Sequence, residues 1–357
     1  MGPVLIDLPD DISRENVEPI KRKYFIKKKI IDGNQKILES KVLKIKKLLE
    51  NSKRPLLLIG NGVKLSKSQS LIKKFIKVYK IPYACSWATV DDFRSDDSLN
   101  AGTFGVAATR FGNFAVQNSD LLLCLGLRLS AQIMGSNKHT FSPNSKKILV
   151  EIDKDELLSH RLPKIDVKVN ADVNNFLKKF VSKKMTFKKN QFDLWKKKIL
   201  ILKNKYPIVE EKHYKNSGYV DPYAFFNELS KNIKQGSILI PDASANLIWC
   251  MQAFQNLKDT KIFTALNHSP MGYSVAASVG AFFGNLKKNI ISIIGDGSMP
   301  MNIQELETIV NYNVNVKIFV VNNKGYGLIK QTQETWLNSR YSGVDKKSGL
   351  SLPDNKK

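Results

Sequence analysis

The turn "GDGS" at residues 295–298 follows the apolar stretch "NIISII" and places Asp296 between two glycines. A turn of this kind at the end of a strand can present main-chain N–H groups to a phosphate, but Asp296 would repel that phosphate. A magnesium ion between them resolves the conflict, because Mg²⁺ binds one or two carboxylates together with phosphates of a ligand. The sequence therefore predicts a magnesium-bridged phosphate site at this turn.

The next apolar stretch predicts further oxygen ligands for the same metal ion. "VKIFVV" at 316–321 leads into "NNKGYG" at 322–327, one strand-helix-strand unit after the first turn. In a parallel sheet both turns then emerge at the same edge. Asn323 can offer its amide oxygen, and Gly325 can offer a main-chain carbonyl from a turn that glycine makes accessible. The predicted metal ligands are Asp296, Asn323 and Gly325.

This combination of turns resembles the diphosphate and magnesium motif of thiamine-diphosphate-dependent enzymes. Within them, "MNIQELETIVNYNVNVKIFVVNNKGYGLIKQTQ" resembles the large, catalytic subunit of the acetolactate synthase family. "RPLLLIGNGVKLS", "LNAGTFGVAATRFGNFAVQNSDLLLCLGLRLS" and "FSPNSKKILVEIDKDEL" resemble the central domain of that family, in the family's order. The structural alternative is a tight turn with a capping aspartate and two loop asparagines.

The resemblance implies a set of cofactor-binding residues. Met271 in "NHSPMGYSVAASVGA" corresponds to the bulky apolar residue beneath the thiazolium ring, and the main-chain carbonyl of Ser269 corresponds to a contact to the aminopyrimidine. "DASANLIW" resembles the loop beside the diphosphate. The implied cofactor-binding residues are Ala245, Asn246, Ser269, Met271, Gly295, Asp296, Gly297, Ser298, Asn323, Gly325 and Tyr326. The alternative for Met271 is an ordinary core position.

The glutamate that activates the cofactor in these enzymes belongs to a separate N-terminal domain, so no catalytic residue is named here. "GPVLIDLPDDI" resembles the end of that domain, and "SGLSLPDNKK" stops where Ser351, Pro353 and Asp354 would open the next helix. We expect a truncated or split chain that is poorly soluble and inactive by itself. Its apolar faces and strand edges would then be exposed.

Acetolactate synthases also bind FAD on the central domain, beside an R-F-D-D-R segment. The corresponding stretch here reads "RLSAQ", Arg128 to Gln132, and lacks the acidic pair. The sequence therefore argues against FAD and is nearer to acetolactate-synthase-like carboligases.

The distribution of apolar runs predicts an α/β fold with two parallel-sheet, three-layer α/β/α domains. Strands are expected within 55–60, 120–127, 147–153, 289–297 and 316–323, with helical patterns between them. The predicted divisions are 1–35, the end of a pyrimidine-binding domain and a linker; 36–183, a central Rossmann-like domain; and 184–357, a C-terminally truncated diphosphate-binding domain. Gly60 and Gly62 form either part of a dinucleotide turn or an ordinary tight turn.

Composition excludes several other classes of protein. The net charge is +25, but the basic residues are mostly Lys spread along the chain, which argues against base recognition by Arg. No apolar run is long enough for a membrane span, and no secretion signal is visible. Cys85, Cys124 and Cys250 are expected to be reduced core residues of a cytoplasmic protein.

The resemblance implies thiamine diphosphate and Mg²⁺ as cofactors. The implied activity is decarboxylation of a pyruvate-like 2-oxo acid followed by carboligation, as in branched-chain amino acid biosynthesis. The implied partners are that small-molecule substrate and further copies of the chain, in a dimer or tetramer, with neither nucleic acid nor membrane. The alternatives are another thiamine-diphosphate-dependent 2-oxo acid decarboxylase or oxidase, and a non-catalytic remnant that serves as an interaction module.

Overall fold

The computed structural model describes residues 6–16, 35–182, 185–188, 190–215, 218–266, 268–284 and 288–352. The chain divides into two compact units, Met1–Ile31 and Asp32–Lys357. In the described part of the first unit, helix α1 (Asp10–Ser13) carries an ion pair of 2.9 Å between Asp10 and Arg14. Most of the predicted segment 1–35 lies outside the described residues, as do the predicted boundary at 183–184 and the helix start at Pro353 and Asp354.

A six-stranded parallel sheet forms the first half of the second unit, with strand order β3-β2-β1-β4-β5-β6. Its strands are β1 (Pro55–Ile59), β2 (Tyr83–Cys85), β3 (Asn100–Thr103), β4 (Leu121–Leu125), β5 (Lys146–Glu151) and β6 (Val167–Asn170). The helices of this half are α2 (Gln35–Glu50), α3 (Gly62–Leu65), α4 (Gln69–Tyr79), α5 (Arg110–Asn118), α6 (Ala131–Met134), α7 (Lys154–Leu158) and α8 (Val173–Ser182).

Apolar side chains of this sheet enter two cores, because successive strand residues point to opposite faces. Leu57 and Ile59 pack with side chains of α2, α4 and α8, whereas Leu56 and Leu58 pack with side chains of α5 and α7. Helix α9 (Asp193–Lys205) joins the second core, where Trp195 donates a hydrogen bond of 2.9 Å from Nε1 to the carbonyl of Pro55. The sheet thus lies between two helical layers.

A four-stranded parallel sheet follows, with strand order β10-β9-β7-β8. Its strands are β7 (Ile238–Pro241), β8 (Lys261–Ile262), β9 (Ile290–Gly295) and β10 (Val316–Val321). The helices around it are α10 (Pro222–Asn232), α11 (Ala245–Ala253), α12 (Tyr273–Gly284), α13 (Glu305–Asn311) and α14 (Gly327–Trp336). Helices α10 and α11 share one core with the sheet, and α12 and α13 pack with its other face.

The connection after β2 reaches the core of the second sheet. It begins with a 3₁₀ helix, Trp87–Asp92, whose Trp87 and Val90 pack among the side chains around β7 and β9. Asn256, which is buried, donates from Nδ2 to the carbonyl of Asp91 at 3.0 Å. Further 3₁₀ helices are Lys138–Thr140, Glu211–Tyr214, Met299–Asn302 and Lys346–Ser348.

The architecture confirms the predicted α/β fold with parallel sheets. All five predicted strands are present, and Asp221 caps α10 from the position before Pro222, with N–H groups of Tyr223 and Ala224 donating to its side chain. The expected helix after the GDGS turn is divided into the 3₁₀ helix Met299–Asn302 and α13. In the described parts of the chain, no helix has the length and apolar character needed to cross a bilayer.

Candidate cofactor-binding site

The two turns singled out in the sequence lie side by side at the carboxyl edge of the second sheet. Strands β9 and β10 are parallel neighbours, with Gly295 opposite Val321 at their ends. The N–H of Asp296 donates to the carbonyl of Val321 at 3.2 Å, which extends the strand pairing into the turn. The topology therefore brings Asp296 and the loop carrying Asn323 to one edge, where ligands bind in open α/β sheets.

The Asp296 carboxylate is held by main-chain N–H groups. Oδ1 accepts a hydrogen bond of 2.9 Å from Gly297, and Oδ2 accepts one of 2.6 Å from Lys324 in the neighbouring loop. The residue is only 3% exposed. Among the described residues, the ion pairs within 4.0 Å do not include one to Asp296. A buried carboxylate without a cationic side chain is an energetically costly arrangement that a bound cation would stabilise.

Burial raises the pKa of Asp296, and the N–H groups of Lys324, Gly297 and Gly325 oppose that rise by stabilising the anion. An ionised carboxylate accepts more than one hydrogen bond at each oxygen, so these contacts leave lone pairs for a metal ion. Burial is the larger effect, so the charged form of this carboxylate is less favoured than that of an exposed aspartate, and a bound cation would stabilise it.

The second loop turns sharply directly after β10. Lys324 has a φ of 60°, and Asn323, which is exposed, accepts a hydrogen bond of 3.2 Å at Oδ1 from the N–H of Gly325. A Cβ atom on Gly325 would lie 2.3 Å from the carbonyl oxygen of Val344. This position accepts glycine alone, because the chain 344–345 passes directly against it.

Tyr326 joins the two loops by packing. Its N–H donates to the carbonyl of Val344 at 2.8 Å, and its ring lies against Gly297, where a Cβ atom would come within 2.3 Å of Cε1. A larger residue at position 297 would therefore require the ring of Tyr326 or the turn itself to move. The backbone of the GDGS turn and the loop after β10 form one packed unit.

Asn246 approaches the same turn from a third strand end. It lies at the start of α11 and is 6% exposed. A Cβ atom added to Gly295 would lie 3.3 Å from Nδ2 of Asn246, so the two residues are close neighbours. Ser298 donates from its N–H to the carbonyl of Gly295 at 3.1 Å. The structure thus groups Asn246 and Ser298 around Gly295, with Ala245 one residue before Asn246.

Met271 and Ser269 lie on the segment before α12. Met271 is 37% exposed, so it is not an enclosed core side chain. A Cβ atom on the adjacent Gly272 would lie 3.3 Å from the carbonyl oxygen of Ser298, so Met271 is one residue away from a close approach to the GDGS turn. Ser269 has a φ of 42° and donates from its N–H to the carbonyl of Ala265 at 2.7 Å. Within the described residues, no hydrogen bond joins Ser269 to the turn itself.

Asp242 and Asn302 also organise this edge, and the sequence reasoning did not single them out. Asp242 follows β7 and is 1% exposed, and Asn302 ends the 3₁₀ helix after the GDGS turn. The signal for Asp242 was present in "SILIPD", since this aspartate ends an apolar strand in the same manner as Asp296. For Asn302 the sequence gives no comparable signal.

Gly60 and Gly62 in the first sheet have a packing explanation. Their N–H groups donate to the carbonyls of Leu125 and Gly126 at 3.0 and 2.9 Å, and a Cβ atom on Gly60 would lie 2.2 Å from the carbonyl oxygen of Gly126. These donors are therefore engaged within the fold. The structure favours the tight-turn interpretation of this pair.

Comparison with known proteins identifies the family of both domains. Residues 42–180 match the central domain of thiamine pyrophosphate enzymes, and residues 242–356 match their C-terminal thiamine pyrophosphate binding domain. The chain contains two domains of the thiamine pyrophosphate enzyme family. The C-terminal of these two thiamine pyrophosphate enzyme domains contains both turns of the candidate site, and it also contains Asp242 and Met271.

Individual relatives are acetolactate synthases. The chain is 31% identical over 351 residues to the acetolactate synthase large subunit of Cyanidium caldarium, covering 96% of this chain and 58% of that protein. Its identity to the large subunit of Porphyra purpurea is 30%, with 96% and 57% covered, and to the chloroplastic acetolactate synthase 2 of Nicotiana tabacum 29%, with 93% and 50% covered. The chain thus spans somewhat more than half the length of the first two relatives and half of the third.

The donor set of this thiamine pyrophosphate enzyme domain fits Mg²⁺. A carboxylate, an amide oxygen and a main-chain carbonyl are the hard oxygen ligands that Mg²⁺ prefers, and ligand phosphates complete its coordination. Across the described residues, no group of three or more His, Cys, Asp or Glu side chains is placed to hold a metal ion. A metal at Asp296 would therefore depend on Asn323, Gly325 and the diphosphate for its remaining ligands.

Proposed function

We propose that the chain provides the diphosphate- and metal-binding part of a thiamine-diphosphate- and Mg²⁺-dependent enzyme of the acetolactate synthase type. The proposed reaction is decarboxylation of a pyruvate-like 2-oxo acid, followed by addition to a second carbonyl compound. The observation that carries the proposal is the buried Asp296 carboxylate, held by N–H groups of two loops at the carboxyl edge of a parallel sheet. The family domains and the acetolactate synthase relatives support it.

Each residue of the edge has a proposed role. Asp296, the Asn323 side chain and the Gly325 carbonyl would hold Mg²⁺, and Gly297 and Ser298 would face the diphosphate oxygens. Met271 would support the thiazolium side of the cofactor. When bound, thiamine diphosphate supplies the nucleophilic carbon and the electron sink for decarboxylation. The protein residues bind and orient the cofactor and keep water from it.

The proposal extends to assembly and metabolism. The resemblance implies that the glutamate activating the cofactor comes from a pyrimidine-binding domain, and that the cofactor lies between two subunits. We therefore propose a homo-oligomer as the active form and a role in a pathway that uses branched-chain products of carboligation. A gel-filtration and light-scattering measurement on the complete gene product tests the first point, since a monomer with full activity would contradict it.

Binding of magnesium pyrophosphate tests the site without requiring the thiamine rings. We expect the full chain to bind pyrophosphate in calorimetric titrations only when Mg²⁺ is present. The variants Asp296→Asn and Asn323→Ala should weaken this binding by about tenfold or more, because each removes a metal ligand, and a charged contact contributes about 1.5–3 kcal/mol.

Asp259→Asn is the matched control, since Asp259 is an exposed aspartate of the same half of the chain that accepts a hydrogen bond from Gln235. Its affinity for magnesium pyrophosphate should equal that of the original protein. Thermal melts of all variants show whether the fold is retained. Full affinity in both Asp296→Asn and Asn323→Ala would reject the proposed site.

A further inference from the structure

Asp242 lies at the carboxyl end of β7 and makes two hydrogen bonds to the segment that carries Met271. Its Oδ2 accepts from the N–H of Gly272 at 3.2 Å, and its Oδ1 accepts from the N–H of Ser274 at 2.9 Å. The carboxylate is 1% exposed, so it is enclosed by the fold. Both oxygens are therefore directed at the main chain on the two sides of Tyr273, where α12 begins.

Asn302 holds the same turn from the opposite side. Its Nδ2 donates to the carbonyl of Gly272 at 3.1 Å. Gly272 has a φ of 86°, and a Cβ atom there would lie 2.9 Å from both the Cβ of Met301 and the Nδ2 of Asn302. The N–H of Gly272 is thus fixed by Asp242 and its carbonyl by Asn302, in a conformation that favours glycine.

The start of α12 is anchored to the sheet as well. Ser274 is fully buried, and its Oγ receives a hydrogen bond of 2.9 Å from the Oγ of Ser292 on β9. Since the N–H of Ser274 is bound to Asp242, the first turn of the helix cannot shift along the sheet without breaking both contacts. Met271 directly precedes Gly272, whose backbone is held in this way, and its side chain is 37% exposed.

We propose that Asp242 is a positioning residue that sets the height of Met271 above the GDGS turn, and so determines how well the thiazolium side of thiamine diphosphate is supported. This inference rests on the proposed function of the same site. Asp242 acts through the Gly272 turn and does not itself touch the cofactor, because both of its oxygens bind main-chain N–H groups and the side chain is enclosed. Asn302, which follows the GDGS turn, holds the Gly272 turn together with Asp242.

The positioning role predicts different effects at the two ends of the cofactor. A change at Asp242 should disturb the ring side, where Met271 lies, and leave the diphosphate side at Asp296 intact. A residue that merely stabilised the fold would alter both ends alike. The ratio of two affinities, one for magnesium thiamine diphosphate and one for magnesium pyrophosphate, therefore distinguishes positioning from general stability.

The experiment measures both affinities by calorimetry on the full chain and on Asp242→Asn, Asn302→Ala and Met271→Ala. We expect Asp242→Asn to lower affinity for thiamine diphosphate by about fivefold to tenfold, and affinity for pyrophosphate by less than about twofold, as expected for a weakened hydrogen-bonded turn. Asn302→Ala alters a half-buried residue, so it tests the same turn if Asp242→Asn does not fold. In Met271→Ala, the further change Asp242→Asn should have little additional effect.

Each alternative outcome is informative. Equal losses for the two ligands, or full thiamine diphosphate affinity in both Asp242→Asn and Asn302→Ala, would overturn the positioning role. Additive losses in the double variant Met271→Ala with Asp242→Asn would overturn the route through Met271. By contrast, an original protein that shows no magnesium-dependent binding of pyrophosphate would reject the proposed function itself, and Asp259→Asn controls for unspecific effects of losing a charge.

Discussion

The carboxylate of Asp296 and the main-chain N–H of Lys324 lie 2.6 Å apart and join the loops that follow two neighbouring parallel strands. This contact explains how a negative charge can occupy a turn suited to phosphate. Oδ2 of Asp296 binds the second loop to the first. The negative charge of the same carboxylate favours a divalent cation between the protein and a phosphate. Asp296 therefore has a structural role that precedes any ligand.

Gly297→Ala should loosen this pair of loops. The added methyl group would lie 2.3 Å from the ring of Tyr326, so the ring or the turn must move. We expect the free energy of unfolding to fall by about 1–3 kcal/mol, as for other overpacked sites. The affinity for magnesium pyrophosphate should fall too. Urea unfolding and calorimetry measure the two effects.

A second substitution identifies the cause of the Gly297→Ala effect. Tyr326→Ala removes the ring, so Gly297→Ala should cost clearly less stability in that background than in the original protein. The same loss in both backgrounds would mean that the turn itself, and not its contact with Tyr326, requires glycine.

Much of the site edge was predictable because it depends on local pattern and on a general property of parallel sheets. Asp296 and Asn323 each end an apolar run, and successive parallel strands of one sheet end at one edge. The structure confirms that the two strands are neighbours in register. The roles of these residues toward a metal and a cofactor stay predictions until binding is measured.

Elements that depend on distant contacts were not predictable. Strand β2 has three residues and β8 only two, so neither leaves a periodic signal in the sequence. Helix α9 follows the predicted domain division at 183–184, yet Trp195 packs against the first sheet through its bond to Pro55. The clamp of Gly272 by Asp242 and Asn302 likewise exists only once three separate segments have met.

The three thiols should resist alkylation in the folded protein. Cys85, Cys124 and Cys250 are buried, as expected from the sequence. Burial raises the pKa of Cys124 to about 12 and raises the pKa values of Cys85 and Cys250 as well. Because the thiolate is the reactive form, raising the pKa lowers the reactive fraction near pH 8 by orders of magnitude.

Mass spectrometry after iodoacetamide treatment checks this expectation. The native protein should carry no label at these three positions, and the protein unfolded in concentrated guanidinium should carry all three. Rapid labelling of one cysteine under native conditions would show that its part of the core opens readily.

Two glycines, one directly before α12 and one in its interior, should respond to alanine in opposite directions. Gly280 is exposed within the helix, and a Cβ atom there has no described neighbour within 4 Å, so Gly280→Ala should raise stability by about 0.5–1 kcal/mol. Gly272→Ala should lower it, because φ is 86° and the turn is crowded. Urea unfolding of both variants measures the sign, and stabilisation by Gly272→Ala would contradict the described turn.

Asn256→Ala should weaken the connection between the two sheets. The side chain is 3% exposed, donates from Nδ2 to the carbonyl of Asp91 at 3.0 Å, and accepts at Oδ1 from the N–H of Thr260 at 2.9 Å. Its removal leaves a buried carbonyl and a buried N–H without these partners, which typically costs about 1–3 kcal/mol for each group. We therefore expect a loss of several kcal/mol in urea unfolding.

Asn232→Ala serves as the comparison for Asn256→Ala, because Asn232 is exposed at the end of α10 and its Nδ2 bonds only to the carbonyl of Glu228 among the described contacts. Its cost should stay within about 0.5 kcal/mol, as is usual at the surface. Since Asp91 follows a strand of the first sheet and Thr260 precedes a strand of the second, the loss at Asn256 should affect probes in both halves of the chain together. Equal, small losses in the two variants would show that Asn256 does not connect the halves energetically.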